Sequence, residues 1–368
     1  MQPAVSDRPI PLAHWPRQPA RITPHIGSNS QKGWAIETRS ACICRAGCAS
    51  RSDGRTPAKG GQRGRAEMTG PVRIAVLLTC FNRRARSLAA LAALHRQAGR
   101  GTAFDLDIYL VDDGSTDGTG PAVRAAFPKV TVLEGTGALY WNGGMRLAFD
   151  QAMRAGFDAV LWLNDDTDLD DDAIFRLLST QAALRRAGQA CTAIMGATRD
   201  PETGACTYGG FVTKSGLLFG LQPVGPWPDH PRQVATTAGN CVLLSSEAVA
   251  RVGNLGPRFL HAWGDVDYGL RLRRAGGSAW LAPGTLASCA ANPDAQAWQD
   301  DPSLGFRERW SRLNSFRGLY PPDWLLFTRR HGGPLWPLAW ARPYAKVALR
   351  HLQFRLGLQR GATPHSRS

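Results

Sequence analysis

Three clusters of acidic side chains lie far apart in the chain, and two of them come directly after predicted strands. They occupy the segments VDDGSTD, LNDDTDL and HAWGDVDYGL, and their most informative members are Asp113, Asp166 and Asp265. Carboxylates at the carboxyl ends of strands in an open α/β sheet lie where such sheets bind ligands. Carboxylates that meet repel one another unless something positive lies between them. The pattern therefore predicts a site for a metal-bound phosphate ester.

The segment LNDDTDL gives the most specific metal-binding signal. Asp165 and Asp166 end an apolar strand, a position that a solvated acidic helix start does not easily explain. Mg²⁺ and Mn²⁺ are usually held at phosphoryl substrates by one or two carboxylates together with substrate phosphates. We therefore predict Asp166 as the metal ligand, assisted by Asp165 or Asn164, with Mg²⁺ or Mn²⁺ as the cofactor. Asp165 is also a candidate nucleotide-binding residue.

The loops after the first two predicted strands hold further candidates for nucleotide binding. Asp113 can accept hydrogen bonds from a base imide or a ribose hydroxyl, although Asp112 and Asp113 also suit a simple turn cap. In TCFNRR, Thr79 and Asn82 offer polar contacts to a nucleotide, and Phe81 offers an apolar face to its base. Packing at the strand end is the alternative for Thr79 and Phe81.

The segment ALYWNGGMRLAFD lies between the third and fourth predicted strands. Trp141 is a candidate nucleotide contact, with a core position as its alternative. Asn142, Gly143 and Gly144 would let the backbone approach a ligand closely. Arg146 is a candidate for meeting a diphosphate, and a solvated helix position explains it equally well.

The third acidic cluster supplies the candidate catalytic residue. Transfer of a group onto a hydroxyl needs a base to take its proton, a role worth about 10²- to 10⁴-fold in rate. Asp265 is our candidate for that base. Asp267 is interpreted as an acid at the start of a helix, where it suits the helix dipole.

The elements that position these residues alternate regularly from residue 72. Helices are predicted at 85–98 and 143–155, and buried strands at 72–79, 106–111, 130–134 and 159–164. This alternation predicts an α/β fold with a Rossmann-like, doubly wound, mostly parallel sheet and helices on both faces. Further on, NCVLLS reads as a strand that leads into a helix capped by Ser245 or Ser246.

Composition divides the chain into three parts. Of the 368 residues, 43% are hydrophobic, which is enough to bury a sizeable core. Residues 1–67 hold 11 Lys+Arg against 4 Asp+Glu and show no hydrophobic period, so we predict a disordered extension and a functional chain that starts at Met68. Residues 68–300 are predicted as the catalytic domain. Residues 301–368 are predicted as a basic, Trp-rich helical extension that contacts an anionic membrane surface.

Targeting and cysteine usage indicate the cytoplasm, either free or at the inner face of the cytoplasmic membrane. No segment has the character of a secretory signal or of a spanning helix. The eight cysteines do not make a disulfide framework in a chain of this length. Cys42, Cys44 and Cys48 lack a fourth zinc ligand at a suitable spacing. Nucleic acid is not expected as a partner, and the oligomeric state is left open.

Taken in order, six segments resemble the family-two glycosyltransferases of the GT-A fold, particularly the rhamnosyltransferase-like members that build bacterial surface polysaccharides. They are LLTCFNR, VDDGSTD, WNGGMRLAFDQAM, LWLNDDTDL, AGNCVLLS and FLHAWGDVDYGLRLRRAG, and they span about residues 72–290. The resemblance implies inverting transfer from a nucleotide diphosphate sugar to a hydroxyl of a saccharide, lipid-linked in our interpretation. It also implies that Asp113 lies at the nucleoside, that residues 164–166 carry the metal role and that Asp265 is the base.

Two positions depart from the family pattern. Asn164 stands where many members have the first Asp of a DxD motif, which makes metal dependence less certain. Gly264 stands where a Glu often precedes the catalytic Asp, which removes a supporting carboxylate. Two other functions stay open at this point: a sugar nucleotidylyltransferase, for which no Gly-rich phosphate loop follows the first strand, and a non-catalytic protein that binds nucleotides or polyanions.

Overall fold

The computed structural model describes residues 70–356, apart from residues 292–297, 299, 300, 302 and 317. The predictions made for residues 1–67, including those for Cys42, Cys44 and Cys48, lie outside the described part. The predicted boundaries at residues 67 and 300 stay predictions.

Strands and helices alternate along the first half of the chain, close to the predicted positions. These elements are β1 (Val72–Cys80), α1 (Arg84–Arg96), β2 (Phe104–Asp112), α2 (Thr119–Ala126), β3 (Thr131–Glu134), α3 (Tyr140–Ala152), β4 (Ala159–Leu163), β5 (Asp168–Leu169) and α4 (Ala173–Arg186).

The second half holds shorter strands and the C-terminal helices. The strands and the helices between them are β6 (Thr192–Arg199), β7 (Cys206–Tyr208), β8 (Gly210–Thr213), β9 (Leu221–Val224), β10 (Arg232–Val234), β11 (Thr236–Thr237), β12 (Cys241–Ser245), α5 (Ser246–Val252), α6 (Gly264–Arg274) and β13 (Ser278–Ser288). The C-terminal helices are α7 (Phe306–Leu313), α8 (Pro321–His331) and α9 (Trp336–Arg355), with a short 3₁₀ turn (Gly333–Leu335) before α9.

The main sheet has the strand order β10-β13-β6-β12-β4-β1-β2-β3, and β11, β8 and β9 form a separate small sheet. Strand β1 pairs in parallel with β2 and β4, β2 with β3, and β6 with β13. Strand β12 runs antiparallel between β4 and β6. The predicted mostly parallel, doubly wound α/β sheet is confirmed, whereas the reversed direction of β12 is not visible in its apolar sequence.

Both faces of the sheet are covered, as the near-continuous apolar strands require. In β1, Ile74, Val76 and Leu78 pack into one core cluster, and Ala75 and Leu77 pack into the other. Buried apolar residues of α1, α2 and α4 belong to the first cluster, and those of α3 and α5, together with Tyr268 and Leu272 of α6, belong to the second. Because successive side chains of a strand point to opposite faces, an uninterrupted apolar strand demands helices on both sides.

The parallel register brings the acidic loops to one edge of the sheet. Cys80 at the end of β1 pairs with Asp112 at the end of β2. Strand β4, which pairs with β1 on its other side, ends at Leu163, directly before the second acidic cluster. The predicted cap of α5 is confirmed, since the Ser245 side chain accepts a hydrogen bond from the Ala248 N–H at 3.1 Å.

The C-terminal helices dock on the catalytic domain through buried carboxylates. Asp323 of α8 is buried and accepts hydrogen bonds from the backbone N–H groups of Leu260, His261 and Ala262. The predicted C-terminal helical extension is confirmed. Within the described ranges, no helix combines the length and the apolar character needed to cross a bilayer.

Asp267 is the second anchor of this docking, and our interpretation of it as an ordinary helix-start acid was wrong. Its side chain is 0% exposed and accepts hydrogen bonds from Arg271 Nε at 2.8 Å, Arg330 Nη1 at 2.7 Å and His331 Nε2 at 2.9 Å. These partners hold the pKa of Asp267 below its usual value against the opposing effect of burial. The misreading arose because the partners lie 63 and 64 residues downstream.

We expect Asp267→Ala to lower the free energy of unfolding by about 3 kcal/mol, because it leaves Arg330 and His331 without their carboxylate partner. Urea denaturation measures this change, and limited proteolysis reports release of α8. Asp171→Ala is the matched control, because Asp171 is 75% exposed and lies 3.9 Å from Arg96. A loss equal to that of the control would contradict the docking role.

Candidate active site

A cleft of about 240 Å³ opens at the sheet edge where the acidic loops meet. Its walls come from the ends of β1, β2 and β4, the start of α3 and the turn before α6; they are Thr79, Cys80, Phe81, Arg83, Asp113, Tyr140, Trp141, Asp165 and His261. A second hollow of about 280 Å³ shares Asp165 and adds Asp166, Arg86 and Cys289. Asp165 therefore lies between two adjoining spaces.

Arg83 supplies the positive charge that the crowded carboxylates require. Its Nη1 donates to Asp165 Oδ1 at 3.0 Å and to Asp166 Oδ2 at 2.8 Å. Burial raises the pKa of Asp165 to about 6, while the Arg83 charge opposes that rise. Asp166 is less enclosed, with 25% of its side chain exposed. A single guanidinium thus bridges the two carboxylates.

Asp113 borders the cleft, and its carboxylate organises the entry to α3. Oδ1 accepts a hydrogen bond from the Gly137 N–H at 2.8 Å, and Oδ2 accepts from the Leu139 and Tyr140 N–H groups at 2.9 Å. A carboxylate offers about four acceptor positions, so about one is left for a ligand. Its predicted contact with a nucleoside stays a prediction.

Other members of the first two loops contact each other. Asp112 is buried and accepts from the Ser115 N–H at 3.0 Å. Asn82 Oδ1 accepts from the Thr116 N–H at 2.7 Å, and the Asn82 N–H donates to Ser115 Oγ at 2.9 Å. These contacts fix the loops that frame the cleft. The predicted direct role of both residues in nucleotide binding is still a prediction.

Trp141 joins the second and third acidic clusters. Its indole Nε1 donates to Asn164 Oδ1 at 2.8 Å, directly before the carboxylate pair. Its ring packs over Gly239, where an added Cβ would lie 2.6 Å from the indole and 3.2 Å from Asp265 Cβ. Trp141 is half-buried and lines the cleft. Its position is therefore compatible both with a nucleotide contact and with a packing role in the core.

Asp265 lies in the first turn of α6, where the helix dipole favours its ionised form. Oδ2 accepts from the Gly239 N–H at 2.7 Å, and Oδ1 accepts from the Val266 N–H at 2.8 Å. Burial nevertheless raises the pKa of Asp265 above its usual value. A carboxylate with a raised pKa that keeps free lone pairs suits a proton acceptor.

The departure at Gly264 has a packing explanation. A Cβ at this position would clash with Asn142 Oδ1. Asn142 is fully buried and its Nδ2 donates to the carbonyls of Gly256 and Phe259, at 3.0 and 2.7 Å. The Asn142 side chain thus takes the space next to α6, where a larger residue at 264 would not fit.

Backbone strain gathers around the cleft. The described non-glycine residues with positive φ are Asn82 at 52°, Tyr140 at 52°, Trp263 at 69° and Tyr320 at 42°. Asn82 lies beside the cleft residue Phe81, Tyr140 lines the cleft, and Trp263 and Tyr320 precede α6 and α8. Such conformations cost about 1 to 3 kcal/mol each and concentrate at functional sites.

Sequence reasoning missed three residues that shape the site: Arg83, His261 and Asp323. Arg83 lies in the segment TCFNRR, directly after the first strand. Its contact with the acidic loop could have been predicted, because a basic residue there faces the acidic loop that follows the neighbouring parallel strand. Asp323 carried no local signal, because its partners lie more than 60 residues upstream. Arg146 is half-buried on α3, and its meeting with a diphosphate stays a prediction.

A divalent cation fits this site only with help from a substrate. No group of three or more His, Cys, Asp or Glu side chains suited to a metal occurs in the part of the chain that the structure describes. The Asn164 amide oxygen already accepts from Trp141, and Asp165 is largely enclosed. Asp166 is the most accessible donor, and phosphate oxygens would have to complete its coordination, as is usual for Mg²⁺.

Three comparisons find known proteins that are similar to this chain. Two Mycobacterium tuberculosis proteins, from strains CDC 1551 / Oshkosh and ATCC 25618 / H37Rv, are each 26% identical over 281 residues, which is 69% of this chain and 85% of theirs. Both are named N-acetylglucosaminyl-diphospho-decaprenol L-rhamnosyltransferase.

Two solved structures are also similar. One is the mannosyltransferase PcManGT from Pyrobaculum calidifontis in complex with GDP-Man and Mn²⁺, with a TM-score of 0.45, 17% identity, and coverage of 77% of this chain and 74% of that one. The other is S. aureus TarS, with a TM-score of 0.47, 12% identity, and coverage of 80% and 56%. Residues 75–204 of this chain match the model of Glycosyl transferase family 2.

Proposed function

We propose that the protein transfers a sugar, with L-rhamnose as the first candidate, from a nucleoside diphosphate to a hydroxyl of a lipid-linked saccharide, with inversion. The named activity of the M. tuberculosis relatives supports both substrates. The observation that carries the proposal is the position of Trp141, which contacts Asn164 and packs beside Asp265. The acid clusters can therefore act on one substrate pair.

In this proposal the nucleoside lies against Thr79, Phe81 and the remaining acceptor position of Asp113. Phe81 is 52% exposed, which leaves an apolar face for a base. The diphosphate then reaches the carboxylate pair, where Arg83 lies within hydrogen-bonding distance of both members. A guanidinium binds phosphate oxygens well, so Arg83 can pass from the carboxylates to the diphosphate.

Asp265 takes the proton from the acceptor hydroxyl as that oxygen attacks the anomeric carbon. The C–O bond to the diphosphate breaks on the opposite face, so a single displacement inverts the configuration. The Gly239 and Val266 N–H groups hold the carboxylate in place, and burial keeps its pKa raised. A fixed carboxylate of raised basicity accepts a proton more readily than a solvated one.

A divalent ion, Mg²⁺ or Mn²⁺, is the proposed cofactor, with Asp166 as its ligand and Asp165 or Asn164 assisting. When bound, such an ion neutralises charge on the departing diphosphate. GT-A glycosyltransferases commonly use divalent cations, and the accessible carboxylate of Asp166 supports that role here.

Contact with a membrane surface is proposed for α9. Its exposed apolar residues fall on one helical face with basic neighbours; they are Leu338, Leu349, Leu352 and Leu356, each more than half exposed, beside Arg342, Lys346 and Arg355. An apolar stripe flanked by cations suits the interface of an anionic bilayer. Such contact would bring the cleft to a lipid-linked acceptor.

We expect Asp265→Asn to fold normally and to lose transfer by about 10²-fold or more, because the amide cannot accept the proton. Initial rates with radiolabelled nucleoside-diphosphate rhamnose measure the loss. Asp171→Asn, on an exposed loop, is the control and should retain full activity. Near wild-type turnover by Asp265→Asn would remove it from the role of base.

Asp166→Asn should weaken Mn²⁺ binding about tenfold or more in the presence of a nucleoside diphosphate, because a charged ligand is lost. Mn²⁺ electron paramagnetic resonance reports binding independently of turnover. Asp171→Asn is the control, since this 75% exposed residue lies outside both hollows. Equal Mn²⁺ affinity in Asp166→Asn and the wild type would rule out the proposed ligand.

We expect Leu349→Glu combined with Leu352→Glu to reduce binding to phosphatidylglycerol vesicles about tenfold or more, because two buried leucines are worth several kcal/mol at an interface. Vesicle co-sedimentation measures the fraction of protein bound to the vesicles. Leu217→Glu, at the 85% exposed tip of the β8–β9 hairpin, is the matched control. Point substitutions keep Asp323 in place, whereas removal of α8 and α9 would break its hydrogen bonds to the turn of residues 260–262. Unchanged sedimentation would disprove the contact.

A further inference from the structure

A stack of aromatic rings begins at one wall of the cleft and contains residues from distant parts of the chain. Tyr140, at the start of α3, stacks on Phe316 with ring centroids 4.7 Å apart and an interplanar angle of 22°. Phe316 stacks in turn on Tyr320, at 4.5 Å and 21°. Phe316 and Tyr320 lie between α7 and α8, so the C-terminal region contributes directly to the surroundings of the cleft.

These rings stay open to solvent. Tyr140 is 37% exposed and Phe316 is 36% exposed, although both lie beside densely packed aromatic residues. The core does not require an exposed aromatic stack at this position. Phe316 lies between Tyr140 and Tyr320, so both of its faces are covered and its exposed part is the ring edge. Tyr140 lines the cleft and stacks on Phe316 with one face, so its other face is the one that matches the C–H face of a pyranose, whose hydroxyls need polar partners around its rim.

His261 offers such a polar partner. It lines the cleft and lies edge-on to Phe316 at 6.5 Å and to Tyr140 at 6.1 Å. Its Nδ1 is buried and has no hydrogen-bond partner among the described residues. A buried polar atom without a partner costs about 1 to 3 kcal/mol, so each instance needs an explanation. This atom has no exposed surface, so a ligand hydroxyl supplies the missing partner only when the imidazole turns toward the cleft that it lines.

The wall is fixed relative to the proposed base. Asp323 holds the turn of residues 260–262 through three backbone N–H groups, and this turn runs directly into α6 and Asp265. Tyr320 is the residue directly before α8, which carries Asp323. A base must touch the acceptor hydroxyl, so the sugar ring that bears this hydroxyl lies against the neighbouring surface.

We propose that Tyr140, Phe316 and His261 form a binding wall for the pyranose ring of the acceptor. Tyr140 takes its apolar face, with Phe316 stacked behind it as support, and the imidazole takes one of its hydroxyls. This inference rests on the proposed function, since it assumes that Asp265 faces the acceptor. It assigns acceptor recognition to a segment between α7 and α8 that lies outside the matched residues 75–204.

The test compares Phe316→Ala with the control Phe306→Ala, whose ring is 39% exposed and packs on Trp310 and His351. N-acetylglucosaminyl-diphospho-decaprenol serves as the acceptor and nucleoside-diphosphate rhamnose as the donor. Phe316→Ala should raise the acceptor KM by about fivefold to tenfold and leave donor hydrolysis without acceptor within about twofold of wild type. His261→Ala should act in the same direction, while Phe306→Ala should leave both values unchanged.

An unchanged acceptor KM in Phe316→Ala and His261→Ala would overturn the proposal. A change confined to donor hydrolysis would also overturn it, because the wall would then hold the donor sugar. If the wild type neither transfers nor hydrolyses any nucleotide sugar, the proposed function fails separately. Saturation-transfer NMR with the N-acetylglucosaminyl headgroup then decides about the wall: contact that is lost in Phe316→Ala supports it, and equal contact in both proteins contradicts it.

Discussion

The ion pair between Arg83 and the two carboxylates of Asp165 and Asp166 is the interaction on which the site depends. Asp165 is almost fully enclosed, and burial of a lone carboxylate beside another would be strongly unfavourable. One guanidinium within 3.0 Å of both offsets part of this penalty, and burial still keeps the pKa of Asp165 raised to about 6. The same guanidinium faces the place proposed for a diphosphate. The Arg83 charge therefore stabilises the two carboxylates and is also available to bind the diphosphate.

Close packing around Trp141 turns separate acidic loops into a single site. The indole spans the gap between Asn164 and Gly239, and Gly239 in turn holds Asp265 through its N–H. Both Gly239 and Gly264 lie where a Cβ would meet a neighbouring side chain. Glycine at position 264 is thus explained by Asn142, whose side chain fills the space beside α6 that a larger residue would need. Helix α8 packs against this region through Asp267, which binds Arg330 and His331, and through Asp323, which binds the turn before α6.

The fold could be predicted because local signals were strong. Apolar strands such as Val72–Cys80, each followed by a loop and a helix, leave few topologies for a doubly wound sheet. Long-range partners could not be predicted. The carboxylates of Asp267 and Asp323 look like ordinary helix-start acids until α8 folds back on α6, and the antiparallel direction of β12 depends on pairing with β4 and β6. Side-chain roles within the cleft depend on such contacts and not on spacing.

A structure determined with a nucleoside-diphosphate sugar bound tests the central claim most directly, since that claim concerns convergence of distant acidic loops on one substrate. The account predicts the nucleobase between Phe81 and Asp113, the diphosphate against Arg83 and Asp166, and the anomeric carbon facing Asp265. Density for the donor at another surface, or a donor whose anomeric carbon points away from Asp265 with Arg83 still bound to both carboxylates, would contradict it.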